Sequence, residues 1–238
     1  MERQFELNLE KLRTRIIKMS SLVDEQIEFA LKSINDENAE LAQLVIERDK
    51  KVNKFDRRIE KTCQKIIALN QPVAMDLRLI MSAFTINSNL ERIGDLAKNL
   101  AHSFLDIKSK PQFIVKTKYY EMASKVKEII SDSIDSFNNN DASLARKVLE
   151  TDLVIDSLFN ENRKFLIDFM RENSDKIEQA VILLEISRIF ERLGDHAKNI
   201  AEDVIFILDA QFIRHQYEKY LIETFHEEDD DESDEVET

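Results

Sequence analysis

The chain has 238 residues, 43% hydrophobic and 34% charged, with a formal net charge of -13 and only two glycines and two prolines. That apolar content is enough for a core, and so little glycine and proline suits long helices with few turns, an all-α protein. The composition excludes P-loops and dinucleotide-binding loops, which need closely spaced glycines, and the negative charge disfavours nucleic acid as a partner.

The opening residues, "MERQFELNLEKLRTR", carry no apolar signal-peptide core, and no apolar run is long enough to span a bilayer. From Phe5 a stripe through Leu9, Leu12, Ile16, Met19, Val23, Ile27, Ala30 and Ile34 steps by three and four, as one face of a long helix must. "NDEN" (35–38) ends it and offers capping side chains to a second helix, whose stripe is Leu41, Val45, Val52, Phe55, Ile59, Cys63, Ile66 and Leu69. Cys63 is the only cysteine, so neither an intrachain disulfide nor a thiolate zinc site can form, and it reads as core. Pro72 opens a third helix through Ile80, Phe84, Leu90, Ala97 and Phe104 to about Ile107.

"KSKP" (108–111) marks a boundary, after which the scheme recurs. A helix is expected over 113–137, capping residues in "NNND" (138–141), a helix to about Glu172, and a long one from about Asp175 past Leu208. The expected architecture is therefore two tandem three-helix bundles of six long helices, residues 1–108 and 112–224, related by internal duplication. An acidic segment follows at 226–238, with nine acids in the last twelve residues, expected to be disordered and solvated.

Both glycines fall in one repeated phrase, "ERIGDLAKNLA" (91–101) and "ERLGDHAKNIA" (191–201), identical at eight of eleven positions, with Leu96 against His196 the one change of character. A glycine inside a helix costs about 1 kcal/mol relative to alanine, and what it provides is close approach by a neighbouring backbone. Glu91 and Asp95, like Glu191 and Asp195, are four residues apart and share a helical face. On the last helix Ile186, Phe190, Leu193, Ala197, Ile200 and Val204 form the apolar side, with Glu191, Asp195, Lys198 and Glu202 roughly opposite. The preceding helices carry Asp49 and Asn53, and Asp152 and Asp156, at the same spacing, Asp152 at the edge of the apolar stripe Val148, Ile155, Phe159. Converging carboxylates of this kind suit a hard cation. The alternative is a solvated acidic face neutralised by Arg92, Lys98, Arg192 and Lys198 as surface ion pairs. His102, His196, His215 and His226 do not recur between halves, and the only Glu-x-x-His, Glu223 to His226, excludes a ferritin-like pair of motifs. His196 is expected either to supplement a metal site or to lie exposed, and no nucleophile context is recognisable.

These phrases, one E-R-hydrophobic-G-D-x-A-K-N per half, resemble the signature helices of the PhoU family of phosphate-transport regulatory proteins, and the likeness runs from about Phe5 to Arg214. The resemblance implies a tandem of three-helix repeats and a regulator rather than an enzyme. It implies a cytosolic negative regulator of phosphate uptake and the phosphate-starvation response, linking the ATPase subunit of a phosphate ABC transporter to a sensor histidine kinase. It further implies a homodimer that meets the membrane only through protein partners, with clusters of iron, zinc, manganese or magnesium on its surface. By position the metal ligands are Asp49, Asn53, Glu91 and Asp95 in the first half and Asp152, Asp156, Glu191 and Asp195 in the second. Asn53 departs from the acidic pattern, which weakens the first set. A metal-buffering or structural helical protein, and a metal-dependent phosphohydrolase, are the competing readings.

Overall fold

The computed structural model describes residues 2–107, 110–210 and 213. Six α-helices carry the described residues: α1 (Glu2–Asn35), α2 (Ala39–Asn70), α3 (Ala74–Ile107), α4 (Tyr119–Asn139), α5 (Ala142–Glu172) and α6 (Ile177–Asp209). None is long and apolar enough to cross a membrane, among the described residues. The expected end of the second repeat at 224 and the acidic segment 226–238 lie outside the described residues.

Local chemistry places the starts of α2 and α5 where the sequence suggested, while α3 begins at Ala74, two residues after Pro72. Asn38 Oδ1 accepts from the Leu41 amide at 3.0 Å, and Asp141 Oδ1 accepts from the Leu144 amide at 2.9 Å, so equivalent N-caps open α2 and α5. Gln71 and Asn140, both left-handed, close α2 and α4. The expected start of the fourth helix at Phe113 is too early. Pro111 leads into a 3-10 turn, Gln112–Lys116, which drops Phe113 and Ile114 into the core, and Phe113 stacks on Phe169 with ring centres 4.2 Å apart. Thr117 is extended and interrupts the helix, its hydroxyl accepting from the Tyr119 amide at 3.2 Å. Hydrophobic spacing cannot tell a short plug from a first helical turn.

The stripes bury as their period requires. Ile16, Val23, Val52, Ile59, Ile80, Leu90, Phe190 and Ile200 are all inside one continuous core. Two expected core positions are exposed, Leu69 where α2 ends in solvent and Phe84, 40% exposed, on α3, and Leu41 in the first turn of α2 is only half-buried.

Helices α1, α2 and α3 pack on one another, as do α4, α5 and α6, giving the two expected three-helix bundles. The bundles are joined along α3 and α6, which pack as extensively as helices within a bundle, with a smaller contact of α1 on α4. Thr85 meets Asp203 and Asn89 meets His196, so α3 and α6 run antiparallel and the duplicated halves face each other across that seam. Arg13 bonds the Asn138 carbonyl and Tyr119 bonds Asn35, so α1 and α4 are antiparallel too. The seam explains a further departure from the helical wheel: Glu202, expected on the polar stripe, is buried, because α6 has neighbours on both flanks.

Phe190 is fully buried in α6 and its ring centre lies 5.5 Å from that of Tyr119. Phe190→Ala is expected to cost about 3–5 kcal/mol in urea unfolding, the range for deleting a buried ring.

Candidate metal centre

Each motif helix lays its glycine against the middle helix of its own bundle. A Cβ on Gly94 would lie 3.1 Å from Val52 Cγ1 of α2, and a Cβ on Gly194 would lie 2.9 Å from Asp152 Oδ1 of α5. What comes close is therefore a side chain and not the neighbouring backbone that the sequence suggested. Dropping the Cβ opens a socket beneath the acidic face, and in the second half a carboxylate fills it.

Asp152 is 1% exposed, and its Oδ1 has no hydrogen-bond partner. Its other oxygen, Oδ2, accepts from Lys198, which also reaches Asp195 Oδ1 at 3.5 Å. In the first half Lys98 Nζ bridges Asp49 Oδ2 at 3.0 Å and Asp95 Oδ1 at 3.3 Å. Acids from two helices thus converge on one patch in each bundle, and the positive charge between them is the lysine three residues beyond the motif aspartate. Among the described residues, no three His, Cys, Asp or Glu side chains stand close enough as they are to hold a metal ion.

Each sequence-selected residue has a definite place. Asn53 donates its amide to Asp49 Oδ2 at 3.0 Å, so it supports an acid rather than offering an oxygen in that contact. Burial, then the neighbouring charge of Asp95, raises the Glu91 carboxyl above its ordinary value, with Asp56 and Asp49 adding to the effect. Burial and then Asp195 raise Glu191 in the same way, with Asp156 and Asp152 behind it. Asp156 is raised by burial and by Asp195, against Lys198. Asp152 is raised by burial although Lys198 opposes it, and burial works against the Lys198 ammonium, which Asp152, Asp195 and Asp156 nonetheless hold above the usual lysine range. Raised carboxyls contribute stability while protonated and lose it as pH rises through their folded-state values, so at neutral pH each patch is a local liability that a cation relieves.

Asp56 is the residue the sequence reading missed. It adds to the charge at Glu91 and accepts from Asn87 Nδ2 at 2.6 Å. Its signal was present, since Asp49, Asn53 and Asp56 follow the i, i+4, i+7 pattern of one helix face. The matching place in α5 is Phe159, so the two acid sets are not copies.

Of the four neutralising cations considered, Lys98, Lys198 and Arg92 contact motif acids, Arg92 at 3.6 Å from Glu91 and 3.7 Å from Asp95, whereas the charge of Arg192 falls on His196. His196 is not an exposed helix residue. It is half-buried at the seam with Nδ1 3.0 Å from Asn89 Oδ1, and burial followed by the Arg192 charge lowers its pKa. Asn89 directs its own amide to the Thr85 carbonyl, which leaves Oδ1 as acceptor and makes Nδ1 the protonated nitrogen. His102 is exposed, while His215, Glu223 and His226 lie outside the described residues. Cys63 is buried in the core as expected, and burial pushes its thiol up to about 11.

Substitutions at the glycines and at the Lys198–Asp152 pair separate the roles of glycine and lysine. Gly194→Ala gains about 1 kcal/mol of helix propensity yet displaces a carboxylate pinned by Lys198, so a net loss of about 1–2 kcal/mol is expected; Gly94→Ala, which asks only Val52 to shift, should be near neutral. Lys198→Met leaves Asp152 buried without its cation and should cost about 3 kcal/mol by chemical denaturation, with Asp152→Asn in the same background restoring most of it.

The comparisons with known proteins bear on this arrangement. The PhoU domain family matches residues 16–104 and 119–204, one repeat per bundle. The phosphate-specific transport system accessory protein PhoU homolog of Aquifex aeolicus is 37% identical over 211 residues, covering 89% of this chain and 96% of its own. The Pseudomonas aeruginosa homolog is 33% identical over 218 residues, covering 90% of this chain and 89% of its own. The crystal structure of PhoU from Pseudomonas aeruginosa superposes with a TM-score of 0.83 at 33% identity, over 87% of this chain and 100% of that one. The phosphate transport system regulatory protein PhoU from Streptococcus pneumoniae gives 0.78 at 26%, over 87% of this chain and 98% of that one. With its sequence matched in both halves and its fold matched over 87% of its length, this chain belongs to the PhoU family, whose members are regulatory accessory proteins of phosphate transport and not enzymes.

Proposed function

We propose that this protein is a cytosolic negative regulator of phosphate uptake and the phosphate-starvation response, a homodimeric helical adaptor between the ATPase subunit of a phosphate transporter and a sensor histidine kinase. The printed roles of its relatives, accessory and regulatory proteins of the phosphate-specific transport system, support the reading.

The observation that carries the proposed mode of action is the orphaned oxygen of Asp152, buried among like charges at the glycine socket. A carboxylate oxygen without a donor is a cation's ligand in waiting, and an all-oxygen set suits magnesium, manganese or iron. In the second half Asp152, Asp156, Glu191 and Asp195 would hold the ion once Lys198 swings outward. In the first, Asp49, Glu91 and Asp95 would do so with Asp56 beside them, and Asn53 would steady Asp49. A bound cation neutralises the patch and offers open coordination positions to a partner's acidic or phosphate group. The lysine bridges favour a second reading, in which the same face works as a metal-free docking surface held together by Lys98 and Lys198.

Chain purified without a metal-affinity tag is expected to contain several ions by elemental analysis. Manganese at about a hundred times its dissociation constant should raise the melting temperature by about 5–10 °C at neutral pH, and not at acid pH, where the carboxyls hold protons instead. Glu191→Lys with Asp195→Lys, folded by circular dichroism, should derepress a phosphate-starvation reporter in high phosphate. Substoichiometric metal would favour the metal-free reading, and unchanged reporter output would reject the regulatory one.

A further inference from the structure

The outer face of α2 is basic in a way the fold does not require. Between residues 50 and 65 it carries Lys50, Lys51, Lys54, Arg57, Arg58, Lys61 and Lys65, all exposed, against two acids, Asp56 and Glu60. At 100° per residue the seven cations fall within a sector of about 120°, opposite the buried Val52, Ile59 and Cys63. Asp49, Asp56 and Glu60 lie together on a different flank by the same geometry. None of the seven forms an ion pair with a described residue, and Arg57 bonds only its own helix, through the Asn53 carbonyl. In α5 the places of the first five hold Leu153, Val154, Ser157, Asn160 and Glu161, so a bundle of this kind closes without that charge.

The same chain holds the complementary charge. Residues 227–238, "EEDDDESDEVET", carry nine acids, and without them the chain is nearly balanced at 34 bases to 38 acids. Helix α6 ends at Asp209, and Ile213 is buried again. Because α3 and α6 are antiparallel, that end lies beside the first turns of α3, which three residues separate in sequence from the end of α2, and so at the end of the bundle where Lys65 lies. The stripe from Lys50 to Lys65 is about 22 Å long. The thirteen residues 214–226 reach up to about 45 Å when extended, enough to cross from α6 to α2 and lay the acidic run along it. Tethering places the acids at millimolar effective concentration, above what a free partner of equal charge would supply.

We propose that the acidic run 227–238 seats on the basic face of α2 in its own chain, as an electrostatic cover that an acidic partner must displace. Each contact is an exposed ion pair and weak alone, so the cover is multivalent, salt-sensitive and removable. It does not depend on metal binding at the glycine sockets.

Zero-length carbodiimide cross-linking of the full chain, with isotopically light and heavy protein unfolded and refolded together in equal amounts so that subunits mix, tests it by mass spectrometry. Glutamates and aspartates of 227–237 should link to Lys50, Lys54, Lys61 and Lys65 in peptides of unmixed isotope. The yield should fall several-fold in about 0.5 M salt, where the screening length shrinks to a few ångströms. It should fall similarly in the exposed charge reversal Lys54→Glu with Lys61→Glu. Tail links spread evenly over lysines of other faces, such as Lys32, Lys127 and Lys164, would overturn the proposal, as would their absence. Mixed-isotope links would instead assign the face to a second copy and overturn the own-chain seat.

Discussion

The contact beneath Gly194 organises the second half of this protein. Asp152 belongs by position to the apolar seam of α5, and it stays there because α6 offers no Cβ at the crossing and sends Lys198 back over the carboxylate. A buried charge is tolerated only when paired, and here pairing is partial, with one oxygen bonded and the other left over. The helix-propensity penalty of the glycine, the raised carboxyl of Asp152 itself and the lysine bridge are consequences of that one placement. In the first half the socket receives Val52 instead, and Asp49 takes up the lysine one turn away, so the same design runs at lower strain.

Duplication built the scaffold, and the seam between copies made them unequal. Helices α3 and α6 are each the inner wall of one bundle and half of the joint to the other. Where Leu96 in one copy is buried as an apolar residue, His196 in the other bonds Asn89 across the joint. Where the first copy puts Asp56 beside its glutamate, the second has Phe159, over which Arg188 lies at 5.8 Å. Near-identical motifs therefore sit in different dielectric and charge surroundings.

The outer surface is divided in the same uneven way. Helix α2 presents cations to solvent on the face away from its acids, whereas the equivalent places of α5 hold one cation, Lys164, against two acids, Glu161 and Asp168, with uncharged residues in the rest. The two halves therefore present outer faces of different charge, and like-charge juxtaposition would make each face reject a different class of surface.

Much of this was readable from residues alone. The stepping of Leu12, Ile16, Met19 and Val23, the caps Asn38 and Asp141 and the repeated phrase around each glycine determine six helices in two copies, because helical period and capping are local properties. The acidic residues of the candidate site were equally visible. What only the tertiary structure decided is which groups lose water and which groups meet. It set the plug at Phe113 and Ile114, the burial of Glu202, the exposure of Phe84, the alignment of His196 with Asn89 and the bridging of the acids by Lys98 and Lys198. Those outcomes depend on helices distant in the chain packing side by side, and a pairing between helices leaves no period in either one.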